Sequence, residues 1–114
     1  LTARDVQKTD LQWARAKGFD TSAPLGPWIE TELDTEDLQI QGRLNGELRQ
    51  DGSTSQMIRG VRELVSIVSQ AFTLLPGDVI MTGTPAGVGL VTAGDRFEVE
   101  IEGIGRLSNP VVRR

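Results

Sequence analysis

The stretch from Leu38 to Asp51 restricts the fold more than any other part of the chain. Leu38, Ile40, Gly42 and Leu44 alternate with Gln39, Gln41 and Arg43. A period of two sends each set to its own face of a strand, so the run reads as half-buried β-structure. Asn45-Gly46 follows at once. A tight two-residue turn needs φ > 0 at both central positions, and Asn followed by Gly reaches that conformation at little steric cost. Glu47 to Asp51 is then the return strand. A hairpin by itself is marginal in water, so more strands or a helix must pack with it.

The remaining sequence offers both. Met57, Val61, Leu64, Val65, Val68, Ala71 and Phe72 fall at three- and four-residue spacings, which predicts a helix over 57–72 with one apolar face. Thr54 or Ser55 suits its N-cap, and Pro76-Gly77 stops the segment. Asp78-Val79-Ile80-Met81-Thr82 reads as a short buried strand running into a Gly-rich turn. Phe97, Val99 and Ile101 alternate with Glu98, Glu100 and Glu102 in a further strand, and Gly103 turns the chain into a last one near Arg106 to Val112. Before the hairpin, Asp10 to Lys17 reads as two helical turns with Asp10 as N-cap and Gly18 as stop. Pro24, Gly26 and Pro27 make 21–37 irregular. The expected class is α+β and β-rich, with one prominent helix and no internal repeat.

Composition removes several kinds of function. At 114 residues the chain holds one small domain at most. It has no Tyr and 4% aromatics, so Val, Ile and Leu must make its core, and a partner surface is expected. Without Cys there are no thiol nucleophiles, disulfides or thiolate metal sites, which suits a reducing compartment and an expected cytoplasmic location. Without His there is no imidazole base and no His-ligated metal. The 12 basic and 16 acidic side chains are interspersed, with no basic stripe, so nucleic acid is not an expected partner. No apolar run approaches the roughly 20 residues of a membrane helix. Leu1 to Asp10 is polar and charged, unlike a signal peptide. The sequence lacks a starting Met and opens inside what reads as a continuous segment, so it is expected to be a fragment.

Four stretches could carry chemistry. In Thr2-Ala3-Arg4-Asp5-Val6-Gln7, an Arg4–Asp5 pair could fix a loop, and Gln7 offers a donor and an acceptor; the plainer alternative is a solvated helix start. In Lys17-Gly18-Phe19-Asp20-Thr21, a partly buried ammonium could polarise a carbonyl or stabilise an enolate; otherwise Lys17 is a surface lysine. In Thr82-Gly83-Thr84-Pro85-Ala86-Gly87-Val88-Gly89, backbone amides after a strand could cradle an anion. That stretch lacks the Lys-Ser/Thr pair of a P-loop and the dinucleotide fingerprint, and a turn demanded by backbone geometry accounts for it equally well. Glu98, Glu100 and Glu102 share a strand face, and solvation explains them better than metal ligation.

Taken in order, these pieces resemble one family. Leu1-Thr2-Ala3-Arg4-Asp5, Lys17-Gly18-Phe19-Asp20-Thr21, Pro24-Leu25-Gly26-Pro27-Trp28, Asn45-Gly46-Glu47, Gln50, Thr54 with Met57-Ile58, Pro76-Gly77-Asp78-Val79-Ile80 and Thr82-Gly83-Thr84-Pro85 are similar to the fumarylacetoacetate hydrolase family. The resemblance covers nearly all of the chain, at family-like spacing. Arg59 departs from it, where the family often carries Phe after Met-Ile.

The resemblance implies that residues 1–114 are the C-terminal portion of a catalytic domain, a mixed β-sandwich roll that is usually homodimeric. It implies Mg²⁺ or Mn²⁺, held by an E-x-E pair and by an Asp that would directly precede Leu1. These ligands, and the His-Glu pair of family hydrolases, are not in this sequence, so no metal ligand is assigned to it. By similarity Lys17 is the active-site lysine, Gln7, Gly83 and Thr84 contact substrate, Thr21 belongs to the metal or water shell, and Arg4 and Asp5 support the site. The expected substrates are small 2-oxo acids: acylpyruvates cleaved by C–C hydrolysis, oxaloacetate decarboxylated, or dienoic diacids isomerised, all through a stabilised enolate. The alternative is a truncated family remnant that serves as a binding or assembly piece.

Overall fold

The computed structural model describes residues 1–113. Its centre is one four-stranded antiparallel sheet. The strands are β1 (Gln39–Leu44), β2 (Glu47–Ser53), β3 (Arg96–Ile101) and β4 (Gly105–Pro110), in the order β2-β1-β3-β4. The fold is α+β and β-rich.

The hairpin forms where the alternation places it. Asn45 and Gly46 take φ of 53° and 85°, the positive pair such a turn requires. β2 continues two residues beyond Asp51, to Ser53. Asn45 also ties the hairpin to β3. Its backbone N–H donates to Arg96 O, its side-chain amide donates to the Asp95 carboxylate, and its Oδ1 accepts from Arg96 N. The register breaks once, between Gly42 and Arg43. Gly42 pairs with Gln50 and Arg43 with Leu48, so Arg49 is the extra residue of a β-bulge.

β3 is central, and its glutamates are not simply solvated. Glu98 and Glu100 are half-buried beneath Arg106 of β4, whose guanidinium lies 2.6 Å from Glu100 and 3.9 Å from Glu98. Glu102 instead accepts the Gln39 N–H. The irregular segment 21–37 runs back over the β3–β4 turn. Trp28 reaches Gly105, and Leu33 reaches Gly103.

Three expectations about elements are corrected. The first concerns the prominent helix. Its last turns are as the periodicity predicts, but α3 spans Val61–Ala71 rather than 57–72. Thr54–Gln56 is a separate 3₁₀ turn, held by a capping box between Ser53 and Gln56. Met57 and Gly60 are extended, so Gly60 is the N-cap, and extended Phe72 ends the helix before Pro76-Gly77. The second concerns the N-terminal helix. Asp10 does not open it: Asp10 closes α1 (Arg4–Thr9), and its carboxylate is taken by Arg15. α2 is only Ala14–Lys17, ended as expected at Gly18. The third is Asp78–Thr82, which is not a strand. A strand needs a neighbour for its N–H and C=O groups, and none of the four strands pairs with this segment; Val79 is 57% and Met81 79% exposed.

Burial is shallow throughout. Ala16 is the one buried apolar side chain among the described residues, and α3 contains no buried residue. The Cα radius of gyration is 15.2 Å, against roughly 13 Å for a compact domain of about 100 residues. Among the described residues no helix is long and apolar enough to cross a membrane.

Candidate functional site

The two helical turns at the start of the chain are short, so tertiary bonds rather than length must hold them. Ala3 N–H donates to Ala16 O at 2.9 Å, which clasps the start of α1 to α2. Ser22, itself buried, donates its hydroxyl to Lys17 O at 2.7 Å and closes the loop after α2. These two bonds fix the backbone of Lys17 from either side.

The Lys17 side chain lies exposed at the end of α2. Its ammonium donates to Thr2 Oγ1 at 3.0 Å and stands 5.9 Å from the centre of the Trp13 ring. That is the outer reach of a cation–π contact. An open hollow of about 760 Å³ adjoins it, lined by Leu11, Gln12, Trp13, Ala14, Lys17 and Gly18. Lys17 therefore presents a positioned cation to a partly apolar depression.

Arg4 and Asp5 sit on the first turn of α1, so the segment is a helix start rather than a loop. Arg4 donates not to Asp5 but to Gln7 Oε1, at 2.7 Å. That bond turns the Gln7 amide so that its NH₂ is the end facing away from Arg4. Thr21 adopts φ of 66° and is exposed in the loop after α2.

The second group is on the sheet. Thr82–Gly89 lies against β2, with exposed Gly83 and Thr84 at its start. Gln50 of β2 fastens it. The Gln50 Nε2 donates to Thr84 Oγ1 and to Pro85 O, both at 2.8 Å. Gly87 packs on the bulge so closely that a Cβ there would stand 1.9 Å from Arg49 O. The close approach to β2 is what requires Gly87.

The structure thus builds two groups, Lys17 with Thr2 at the α1–α2 contact and Thr84 with Gln50 and Gly83 on the sheet, while Arg4 and Gln7 bond to each other on α1. Among the described residues no hydrogen bond joins the two groups. Two residues had no role assigned from sequence. Thr2 is the partner of Lys17, and Gln50 is the clamp on Thr84. The signal for Gln50 was its place among the residues that carry the resemblance, and the structure pairs it with Gly42 across the hairpin.

A separate hollow of about 440 Å³ is lined by Asp37, Gln39, Asp51, Ser53, Gln56 and Glu102 among others. Its carboxylates are engaged by the chain itself. Asp37 accepts from the Ser53 and Ser55 hydroxyls, which hold its pKa below the ordinary value, and Asp51 accepts from Gln39 and Gln41. Among the described residues no three His, Cys, Asp or Glu side chains are grouped so as to hold a metal ion. The described residues do not by themselves fit the divalent cation that the resemblance implies.

The sequence matches the family model described as fumarylacetoacetate hydrolase C-terminal over residues 1–112. A Mycobacterium tuberculosis protein is 51% identical over 117 residues, covering 100% of this chain and 44% of that protein. An oxaloacetate tautomerase of Bacillus subtilis is 41% identical over 121 residues, covering 97% of this chain and 40% of the enzyme. The crystal structure of 2-hydroxyhepta-2,4-diene-1,7-dioate isomerase from Mycobacterium marinum superposes with a TM-score of 0.96 at 54% identity, covering 99% of this chain and 45% of the other. That of a maleylpyruvate hydrolase from Sphingobium, in complex with manganese(II) and pyruvate, superposes with a TM-score of 0.79 at 38% identity, over 82% and 37%. The chain spans about half the length of the relatives it matches.

Proposed function

The chain belongs to the fumarylacetoacetate hydrolase family, and from that premise we propose that the enzyme carrying it acts on small 2-oxo acids through an enol or enolate. Lys17 and Thr84 are the groups this chain contributes. The observation that carries the reading is the build of the two groups. A lysine is held at both its backbone and its ammonium, and a hydroxyl is held on a loop clamped to the sheet.

The chemistry follows from charge. Oxaloacetate, maleylpyruvate and 2-hydroxyheptadienedioate are each a 2-oxo acid or its enol, and relatives are named for them. Moving a proton or breaking a C–C bond beside the 2-oxo group drives electrons onto its oxygen. A pre-positioned ammonium stabilises that charge more in the transition state than in the ground state. Thr84 donates its hydroxyl proton to a substrate carboxylate, with the amides of the Gly83 turn beside it. Gln7 offers its NH₂ to another substrate oxygen. Proton transfer from carbon also needs a base to take the proton, which donors such as the Lys17 ammonium, the Thr84 hydroxyl and the Gln7 amide do not supply. C–C hydrolysis also needs a base to activate water, and the chain has no His to serve.

The test is steady-state kinetics on the full-length protein. Keto–enol exchange of oxaloacetate is followed by the loss of enol absorbance, together with oxaloacetate decarboxylation and acylpyruvate hydrolysis. At least one should proceed well above the solution rate. A folded protein with divalent cation supplied that accelerates none of them overturns the reading.

A further inference from the structure

Gln50 is a buried polar side chain, 9% exposed, on a strand whose other residues mostly face solvent. Its amide lies over Gly42 of β1. A Cβ at Gly42 would come within 2.9 Å of Gln50 Oε1 and 3.2 Å of both Gln50 Cβ and Phe97 Cζ, so the missing side chain makes the slot the amide occupies. The bulge at Arg49 sets the register that brings Gln50 over this slot. Each of the two Nε2 protons then has an acceptor at 2.8 Å, Thr84 Oγ1 for one and Pro85 O for the other. Two acceptors facing the same end of the amide fix which end is nitrogen.

The direction of the first bond has a chemical result. A hydroxyl carries one proton and two lone pairs. Because Gln50 can only donate from Nε2, Thr84 must accept, and its own proton stays available for another acceptor. We propose that Gln50 is a positioning residue for substrate recognition: by occupying a lone pair of Thr84 Oγ1, it turns the Thr84 proton toward a carboxylate of the 2-oxo acid. The proposal rests on the reading that Thr84 contacts that carboxylate. A glutamate at the same place would invert the arrangement. Its carboxylate accepts from Thr84, takes the proton away from the substrate, adds a negative charge beside a substrate anion, and repels Pro85 O.

The experiment uses the full-length protein with oxaloacetate, comparing wild type, Gln50→Glu, Gln50→Leu and Thr84→Ala. At pH 7.5 Gln50→Glu should raise KM at least tenfold and leave kcat within threefold. At pH 5 the ratio of its KM to that of wild type should shrink by at least about twofold, because partial protonation near the carboxylate range, about 4.3 for an ordinary Glu, restores an O–H donor toward Thr84. Gln50→Leu should raise KM without recovery at low pH, and adding it to Thr84→Ala should change KM by less than twofold. If Thr84→Ala raises KM but neither Gln50 variant does, the positioning role is wrong while the Thr84 contact stands. A wild-type KM in Thr84→Ala removes the Thr84 contact and the proposal with it. Should Gln50→Leu fail to fold, Gln50→Glu decides alone. Equal losses in KM and kcat, independent of pH and accompanied by a lower Tm, reduce Gln50 to a structural clamp and overturn the proposal.

Discussion

Replacing Gly87 by Ala tests how closely the Thr82–Gly89 loop must approach the sheet. The added Cβ would lie 1.9 Å from Arg49 O and 3.0 Å from Arg49 C, where real Cβ contacts essentially never fall below 3.0 Å. The loop and β2 must therefore separate by about 1.1 Å, the difference between those two distances. The obstacle is main chain at the bulge, not the end of a flexible side chain, so the loop is the part that yields. Gly87 also has φ of +99°, which costs an L-residue roughly 1–2 kcal/mol. A shift of that size stretches the two 2.8 Å bonds from Gln50 beyond hydrogen-bond range, at about 1 kcal/mol each. The upper bound on lost stability is therefore about 3–4 kcal/mol, reduced by whatever the loop relaxes. Function should suffer more, since a misplacement of about 1 Å commonly costs on the order of a hundredfold in rate. The assay is oxaloacetate kinetics and thermal unfolding of the full-length protein. The expected result for Gly87→Ala is a kcat/KM lower by about a hundredfold. Gly89→Ala is the control. A Cβ there meets nothing within 4 Å and the backbone is not left-handed, so its kcat/KM should stay within about threefold of wild type. A Gly87→Ala enzyme within threefold of wild type would refute the idea that this contact sets the position of Thr84.

Three further outcomes are expected. Lys17→Met in the full-length enzyme should keep the fold and lower kcat by about a hundredfold or more, the scale of losing one preorganised electrostatic donor, while Lys8→Met on the exposed face of α1 changes little; survival of activity within threefold would return Lys17 to a surface role. Calorimetric titration of the isolated 114 residues with Mg²⁺ or Mn²⁺ should show no tight stoichiometric site, and a micromolar one would reveal a ligand set that the described residues do not group. Asp95 is held below its ordinary pKa by the Asn45 side chain and then by the Thr92 N–H. Its charged form is therefore the stabilising one: the benefit is complete above the unfolded value of about 3.9 and is lost as pH falls through the lower folded value. Amide exchange at Asn45 should accelerate as pH drops below about 4, relative to a reference loop, and Asp95→Asn should flatten that dependence; identical profiles would show that the Asp95 bond does not hold the hairpin.

What could be read from the sequence follows a physical division. Alternation and turn chemistry are local, and the hairpin at Asn45-Gly46, the strand through Phe97, Val99 and Ile101, and the final strand all form close to their expected bounds. Errors arose where a local pattern competed with another local device. The apolar spacing from Met57 to Phe72 suggested one helix, but the Ser53–Gln56 box and extended Gly60 divide it. A five-residue apolar run at 78–82 looked like a strand because composition cannot show whether a partner strand is alongside. For the site, the resemblance singles out Lys17 and Thr84 as candidates, whereas Thr2 and Gln50 belong to the resemblance with no role assigned. Thr2 reaches Lys17 across 15 residues and Gln50 reaches Thr84 across 34. Bonds of that span depend on register and on the space left by a glycine, which no window of the sequence contains.

The same division explains why α3 was the clearest helix in the sequence and yet contains no buried residue in the structure. A stripe of Val61, Leu64, Val65 and Val68 is the pattern of a helix with one face against a core, yet the helix has no buried residue and Val65 is 44% exposed. The burial anticipated by that pattern is not supplied within the described residues. Lys17 and Thr84 are in a similar position. Each is held by bonds inside this chain, and among the described residues no hydrogen bond joins one group to the other. The bonds that hold each group lie within the described residues, while the distance between the groups is not set by any hydrogen bond among them. Under the proposed function, that distance is expected to match the span from the 2-oxo oxygen to the substrate carboxylate. Gly87→Ala and Gln50→Glu both act on the Thr84 side of that span and leave Lys17 where it is, so the two variants should weaken substrate binding together and leave the Lys17-dependent part of kcat in Gln50→Glu intact.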